Sequence, residues 1–281
     1  MSNTNRNALR YLVAVGGLVA FLCADIVLVP AQQGPPMFSG SDVGWVSVGG
    51  EWTPLPGSPQ PVKQDPAYAY VPNNVGGQPT FRMADVNNSN LTQFARDALK
   101  KANDDVLAGK PMWSRSARCW ATGVPAFLLT PVQPMFFIQT QREVTIIAQH
   151  DSDVRRIYMD VPHSESPKPS WYGESVGYYE GDTLVVDTIG LNDKTFLDNF
   201  RTPHSEKLHV IERFRLAEGG KFLDAEVFID DPRVFLKPLH VTKRSRRVQA
   251  TLAEWRCVDG EMNNPFTDGA DPLPIAQQAD F

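Results

Sequence analysis

From residue 134 onward, apolar and polar positions alternate in short runs. Residues 136–139, 144–150 and 155–160 each read as a strand, with polar turns near Gln141-Arg142 and Asp151-Ser152-Asp153. Residues 175–179 and 183–188 pair across Glu180-Gly181, where glycine supplies the positive φ of a tight hairpin. Residues 209–216 and 222–230 flank Glu218-Gly219-Gly220, and 239–248 and 251–257 complete the series. Strands at short, regular spacing with few helices predict a mainly β fold. The expected form is an antiparallel β-barrel, lipocalin- or calycin-like, with an internal pocket. Closure is favoured because it removes exposed strand edges; a β-sandwich is the alternative.

A different period appears earlier. Leu91, Phe94, Ala95, Ala98 and Ala102 mark one face of a helix over 90–108. Asn90 with Gln93 three residues later has the spacing of a capping box, and Gly109 supplies the stop. Residues 32–87 carry Pro54, Pro56, Pro59, Pro61, Pro66, Pro72 and Pro79, which break regular elements. Trp45 and Trp52 argue that this stretch is an extended arm lying over the domain rather than a free linker. The chain therefore divides into a leader at 1–31, the arm at 32–87, a helix-plus-barrel domain at 88–265 and a tail at 266–281.

The leader has the plan of a secretory signal: a polar start with two arginines, an apolar run from Tyr11 to Ala24, and small residues around Val29-Pro30-Ala31. Asp25 interrupts the apolar run, so cleavage after Ala31 is favoured over a retained anchor. The expected location is periplasmic or extracellular, with no membrane span after cleavage. Export leaves Cys119 and Cys257, which read as one disulfide or as two separate buried thiols. The formal net charge is −5, and the run Lys243 to Arg247 reads as a solvated strand edge. Nucleic acid is thereby a poor partner.

Side chains alternate between the faces of a strand. Glu212 shares a face with Val210, Phe214 and Leu216, so it points inward, either as half of an ion pair or as an acid/base with a raised pKa. Arg155, Arg156 and Lys243 are its candidate partners. Asp187 follows Val185 on a partly apolar face and is expected to be either at least half-buried near the barrel mouth or a strand-end cap. Tyr158 shares a face with Arg156 and Asp160, a polar surface suited to a ligand. His163 lies in the loop after Asp160, His204 in Thr202-Pro203-His204-Ser205, and His209 opens a strand. Histidine is the natural proton carrier near neutral pH. His209 and Glu212 fall on opposite faces of one strand, which is not a helical zinc spacing. No cofactor is expected, and a divalent metal is the disfavoured alternative. No nucleophile elbow, phosphate loop or dinucleotide fingerprint is present.

These residues fall in longer motifs: Arg155-Arg156-Ile157-Tyr158-Met159-Asp160; Pro169-Ser170-Trp171-Tyr172-Gly173; Glu180-Gly181-Asp182-Thr183-Leu184-Val185-Val186-Asp187-Thr188; Pro203-His204-Ser205; and Leu208-His209-Val210-Ile211-Glu212-Arg213-Phe214. With them, residues 110–260 resemble a large group of uncharacterised exported bacterial proteins. The resemblance extends to the placing of Cys119 and Cys257 and carries no activity to transfer. Where that group has Gly-His-Ser, this chain has Gly173-Glu174-Ser175; if that His is the group's base, this chain uses Glu174 in its place or lacks the activity. The loop from Asp160 to His163 is also shorter than the group's.

The expected function is cofactor-independent acid/base catalysis, as in a lyase, isomerase or hydrolase, on a small apolar or aromatic molecule. His204 or His209 is the candidate base, and Glu212 or Asp187 its orienting carboxylate. Arg156 and Tyr158 are candidates to hold an oxyanion, with His163, Trp171 and Glu174 beside the substrate. The alternatives are a non-catalytic periplasmic carrier and an envelope structural or interaction protein.

Overall fold

The computed structural model describes residues 35–39, 43–48, 53–54, 58–67, 83–108, 120–129, 134–149 and 153–252. The leader at 1–31, Cys119, Cys257, the tail at 266–281 and all but Thr251 and Leu252 of the expected last strand lie outside the described residues.

The strands in chain order are β1 (Val43–Ser47), β2 (Thr53–Pro54), β3 (Met135–Gln139), β4 (Glu143–Ala148), β5 (Asp153–Met159), β6 (Glu174–Glu180), β7 (Thr183–Ile189), β8 (His209–Ala217), β9 (Phe222–Asp230) and β10 (Leu239–Gln249). From β3 to β10 each pairs with the next, and β1 pairs with both β3 and β10, which closes a nine-stranded barrel. β2 lies on the same edge of β10, beside Val241 and Thr242. The closing stave thus comes from the proline-rich arm, where no strand was expected. Trp45 explains its capture: the side chain is fully buried, and its Nε1–H donates to the Phe38 carbonyl at 3.1 Å. A buried indole with its one donor satisfied anchors the strand.

One pairing departs from the expected antiparallel pattern. β5 and β6 run parallel, with Tyr158 opposite Val176. A parallel pair needs a crossover of a dozen or more residues, and residues 160–173 provide it. That loop is fastened by Ser170 N–H to the Gly190 carbonyl (3.0 Å) and Asn192 N–H to the Ser170 carbonyl (2.8 Å). Gly173, at φ 64°, ends it and turns the chain into β6.

The helices are few. α1 (Gln93–Leu107) buries a stripe of Ala95, Leu99 and Asn103. Its cap is Thr92, whose Oγ1 accepts from Ala95 N–H at 3.3 Å. Asn90, expected to cap, instead bonds the Lys237 backbone through both amide atoms at 2.9 Å. Phe94, expected inside, is exposed beneath the Arg233 guanidinium. α2 (Ala126–Leu129) is buried throughout. Among the described residues, no helix is long and apolar enough to cross a membrane.

Inward-facing residues follow the strand alternation. Trp45, Met135, Phe137, Ile146, Ile157, Leu184, Val186, Phe214, Val227 and Val241 are all buried and belong to one core. A barrel of about eight strands has an interior just wide enough for side chains to fill.

Candidate acid/base site

Four ionisable side chains meet on the outer face of the barrel, at the start of β6 and β8 and the end of β7. Along β7, Leu184, Val186 and Thr188 turn inward, so Asp187 turns outward, beside Ile211 of β8. His209 opens β8 on the same outer face. Its Nε2 lies 2.9 Å from Asp187 Oδ1. His163 reaches over from the crossover loop. Its Nε2 lies 3.1 Å from the same Asp187 oxygen, and its Nδ1 lies 3.0 Å from Glu174 Oε1. The order is therefore Glu174, His163, Asp187, His209.

Glu174 is itself gripped by the loop. Ser164 N–H donates to Oε1 and Ser164 Oγ–H to Oε2, each at 2.7 Å. The Ser164 hydroxyl, with the Ser164 amide and His163, holds the Glu174 carboxyl below the usual carboxylate range. Ionised carboxylates only accept hydrogen bonds. His163 thus bridges two carboxyl groups, one at each ring nitrogen. His209 differs: its side chain is 40% exposed, and Nε2 is its only bonded nitrogen among the described residues.

Glu212 is placed elsewhere. It faces the interior, fully buried, and pairs with Arg155: Nη1 to Oε1 at 3.0 Å and Nη2 to Oε2 at 2.5 Å. Arg155 also donates to Ser175 Oγ (3.2 Å) and Thr188 Oγ1 (2.8 Å). The ion-pair alternative for Glu212 is the one the structure adopts, and a carboxylate sealed in the core does not orient His209 across the sheet. The clamp ties together β5, β6, β7 and β8, the strands behind the outer cluster.

His204 does not join the cluster either. It is 3% exposed, with Nε2 2.7 Å from Thr195 Oγ1 and Nδ1 3.5 Å from the Ser205 carbonyl. Burial pushes its pKa down, which favours the neutral ring. The neighbouring Ser205 binds the fully buried Asp231 through its amide (2.6 Å) and hydroxyl (2.9 Å). Asp198, also buried, accepts from Phe200 N–H, Thr202 N–H and Thr202 Oγ–H. The segment 195–205 is a knot of turn bonds around a neutral histidine.

Arg156 and Tyr158 do lie on the outer face, but on β5, about 14 Å (three strand spacings) from β8. Arg156 is drawn the other way, to Glu143 Oε1 of β4 at 3.0 Å. They do not converge on His209. Trp171 packs edge-on against Trp120, with ring centroids 5.1 Å apart, and Lys194 Nζ lies 5.8 Å above it. Among the described residues, no group of three or more His, Cys, Asp or Glu is arranged to hold a metal ion.

The site therefore unites His209 and Asp187 with His163 and Glu174, and excludes His204 and Glu212. Ser164, which fixes Glu174, had no signal in the sequence beyond its place next to His163. The exclusion of Glu212 did have one, since alternation along β8 puts His209 and Glu212 on opposite faces.

Comparison with known proteins assigns nothing: no family model, curated protein or solved structure matches the chain.

Proposed function

We propose that this chain is an exported, cofactor-independent acid/base enzyme, with His209 as the proton-transfer group and Asp187 as its orienting carboxylate. The observation that carries the reading is the 2.9 Å contact of His209 Nε2 with Asp187, on a ring that is 40% exposed. A carboxylate accepting from Nε2–H selects the tautomer with a bare Nδ1. Nδ1 is then the base. When it takes a proton, the imidazolium that forms is held next to Asp187. His163 donates to the same carboxylate oxygen and fixes its rotamer, while Glu174 and Ser164 fix His163. These are positioning residues. Proton transfer by a placed histidine contributes about 10²–10⁴-fold to a rate.

The chemistry is proton abstraction next to an activating group, or activation of water for addition or hydrolysis. An apolar or aromatic substrate suits the surroundings. Ile211 lies beside Asp187 in the sheet, and Phe228, 38% exposed, lies beside Ile211.

Two measurements test this. Purified protein is incubated in D₂O with a panel of small aromatic and alicyclic ketones, epoxides and esters, and products are followed by NMR. Turnover is expected to drop by about a hundredfold in His209→Gln and Asp187→Asn, and to persist in His204→Gln. Separately, ¹⁵N shifts of the His209 ring report its tautomer; a proton resident on Nδ1 with a bare Nε2 overturns the assignment whatever the substrate.

A further inference from the structure

The outer face of β7, β8 and β9 continues past the dyad as a ladder of cross-strand rows set by the sheet register. Next to His209 comes a row of Asp187, Ile211 and Phe228. Then come Val185, Arg213 and Glu226, and beyond them Thr183, Arg215 and Asp224, with Arg244 of β10. Apart from Val185, the last two rows line a groove of about 840 Å³.

Most charges in that groove are already matched. Arg213 Nη2 holds Glu180 at 2.6 Å. Arg244 holds both oxygens of Asp224, at 2.7 and 2.8 Å, and Glu218 at 3.0 Å. Lys243 Nζ donates to the Leu129 carbonyl at 3.2 Å, and burial pushes its pKa down. Asp182 accepts from the Thr183 hydroxyl, and Glu226 faces Arg213 across the strands. Arg215 alone among the groove's cations makes no ion pair or hydrogen bond among the described residues, although Asp224 is its cross-strand neighbour. Arg244 has taken that carboxylate. One guanidinium with five unspent donors faces the groove, and its geometry suits a carboxylate.

We infer that the groove binds the carboxylate of the substrate through Arg215, with the apolar body lying over Ile211 and Phe228 and the reacting atom at His209. The substrate class is a monoanionic amphipathic acid: an aromatic or alicyclic group joined by a short apolar chain to a carboxylate. Four residue steps along the strand take Ile211 to Arg215, about 13 Å, part of which the arginine side chain spans. A linker of roughly four to six methylenes fits that gap. The link to chemistry rests on the dyad reading above, whereas the anion site rests on the groove itself.

Isothermal titration with phenylalkanoates from phenylacetate to 6-phenylhexanoate, each beside the matching alcohol, tests the assignment. The expected result is tightest binding for the longer acids, loss of about tenfold in affinity in Arg215→Gln, and weakening with added salt. The alcohols bind no better to the wild type than to Arg215→Gln. Saturation with the longer acid shifts the His209 ring signals. Equal binding of acid and alcohol, unchanged acid affinity in Arg215→Gln, or no binding at millimolar acid overturns the anion site. Arg215-dependent binding that leaves the His209 signals unmoved overturns the shared strip. His209→Gln separates the two readings: full turnover by that variant removes the dyad, while retained acid binding leaves the groove assignment standing.

Discussion

Removing Arg155 should be among the costliest single changes in this protein. In Arg155→Met the guanidinium disappears from a site where both partners have fully buried side chains. Ser175 Oγ and Thr188 Oγ1 lie 2.9 Å apart and keep each other as partners. Glu212 keeps none among the described residues, because both its hydrogen bonds there come from Arg155. Breaking a buried pair this way costs about 3–5 kcal/mol. That is a large share of the roughly 5–15 kcal/mol that holds a domain folded. At about 2–4 °C per kcal/mol for a chain of this size, the melting midpoint falls by roughly 6–20 °C. The double variant Arg155→Met, Glu212→Leu removes both charges and fills the space with apolar atoms, so it should return to within about 2 kcal/mol of the wild type or exceed it. Urea unfolding followed by tryptophan fluorescence gives all four corners of the cycle, with buried Trp45 among the reporters. A single variant that loses less than about 1 kcal/mol, or a double variant that loses the sum of the two singles, would refute the reasoning.

Two more expected outcomes concern the turns around the site. The depressed pKa of His204 means the unfolded chain binds this proton more readily than the folded one. Its contribution to stability is present above about pH 6.5 and is lost as pH falls below that toward the folded value. His204→Gln should flatten the stability profile as pH falls below about 6.5, and superimposable profiles would discount the mechanism. Gly173 has φ 64°, and a Cβ there would collide with the Ile189 carbonyl oxygen. Gly173→Ala should therefore destabilise by more than about 1 kcal/mol, measured by the same unfolding assay, and shift the His163 ring signals, since Glu174 is the next residue.

Much of the strand content was readable from alternation, because which face a side chain takes is settled within a strand. β4 through β10 fall close to their expected positions for that reason. The same rule put Glu212 inside and His209 outside. The arm misled: prolines and glycines around Trp45 disguise a five-residue stave whose partners lie about 90 and 200 residues later in the chain.

What the sequence determined by itself is the local geometry: alternating faces, a hairpin at Gly181, a loop long enough for a crossover, and a cluster of His, Asp, Glu and Arg in the strands. What only the tertiary structure decided is which of these groups meet. Asp187 touches His209 because β7 and β8 are neighbours in a particular register, and it touches His163 because the β5–β6 crossover folds back over the sheet. Alternation turns Arg155 rather than Arg156 inward, but it reaches Glu212 only because the order β5, β6, β7, β8 lines up Ser175, Thr188 and Glu212 along the inner face. Such meetings depend on strand order and register, which are set by the packing of the whole core rather than by any one segment.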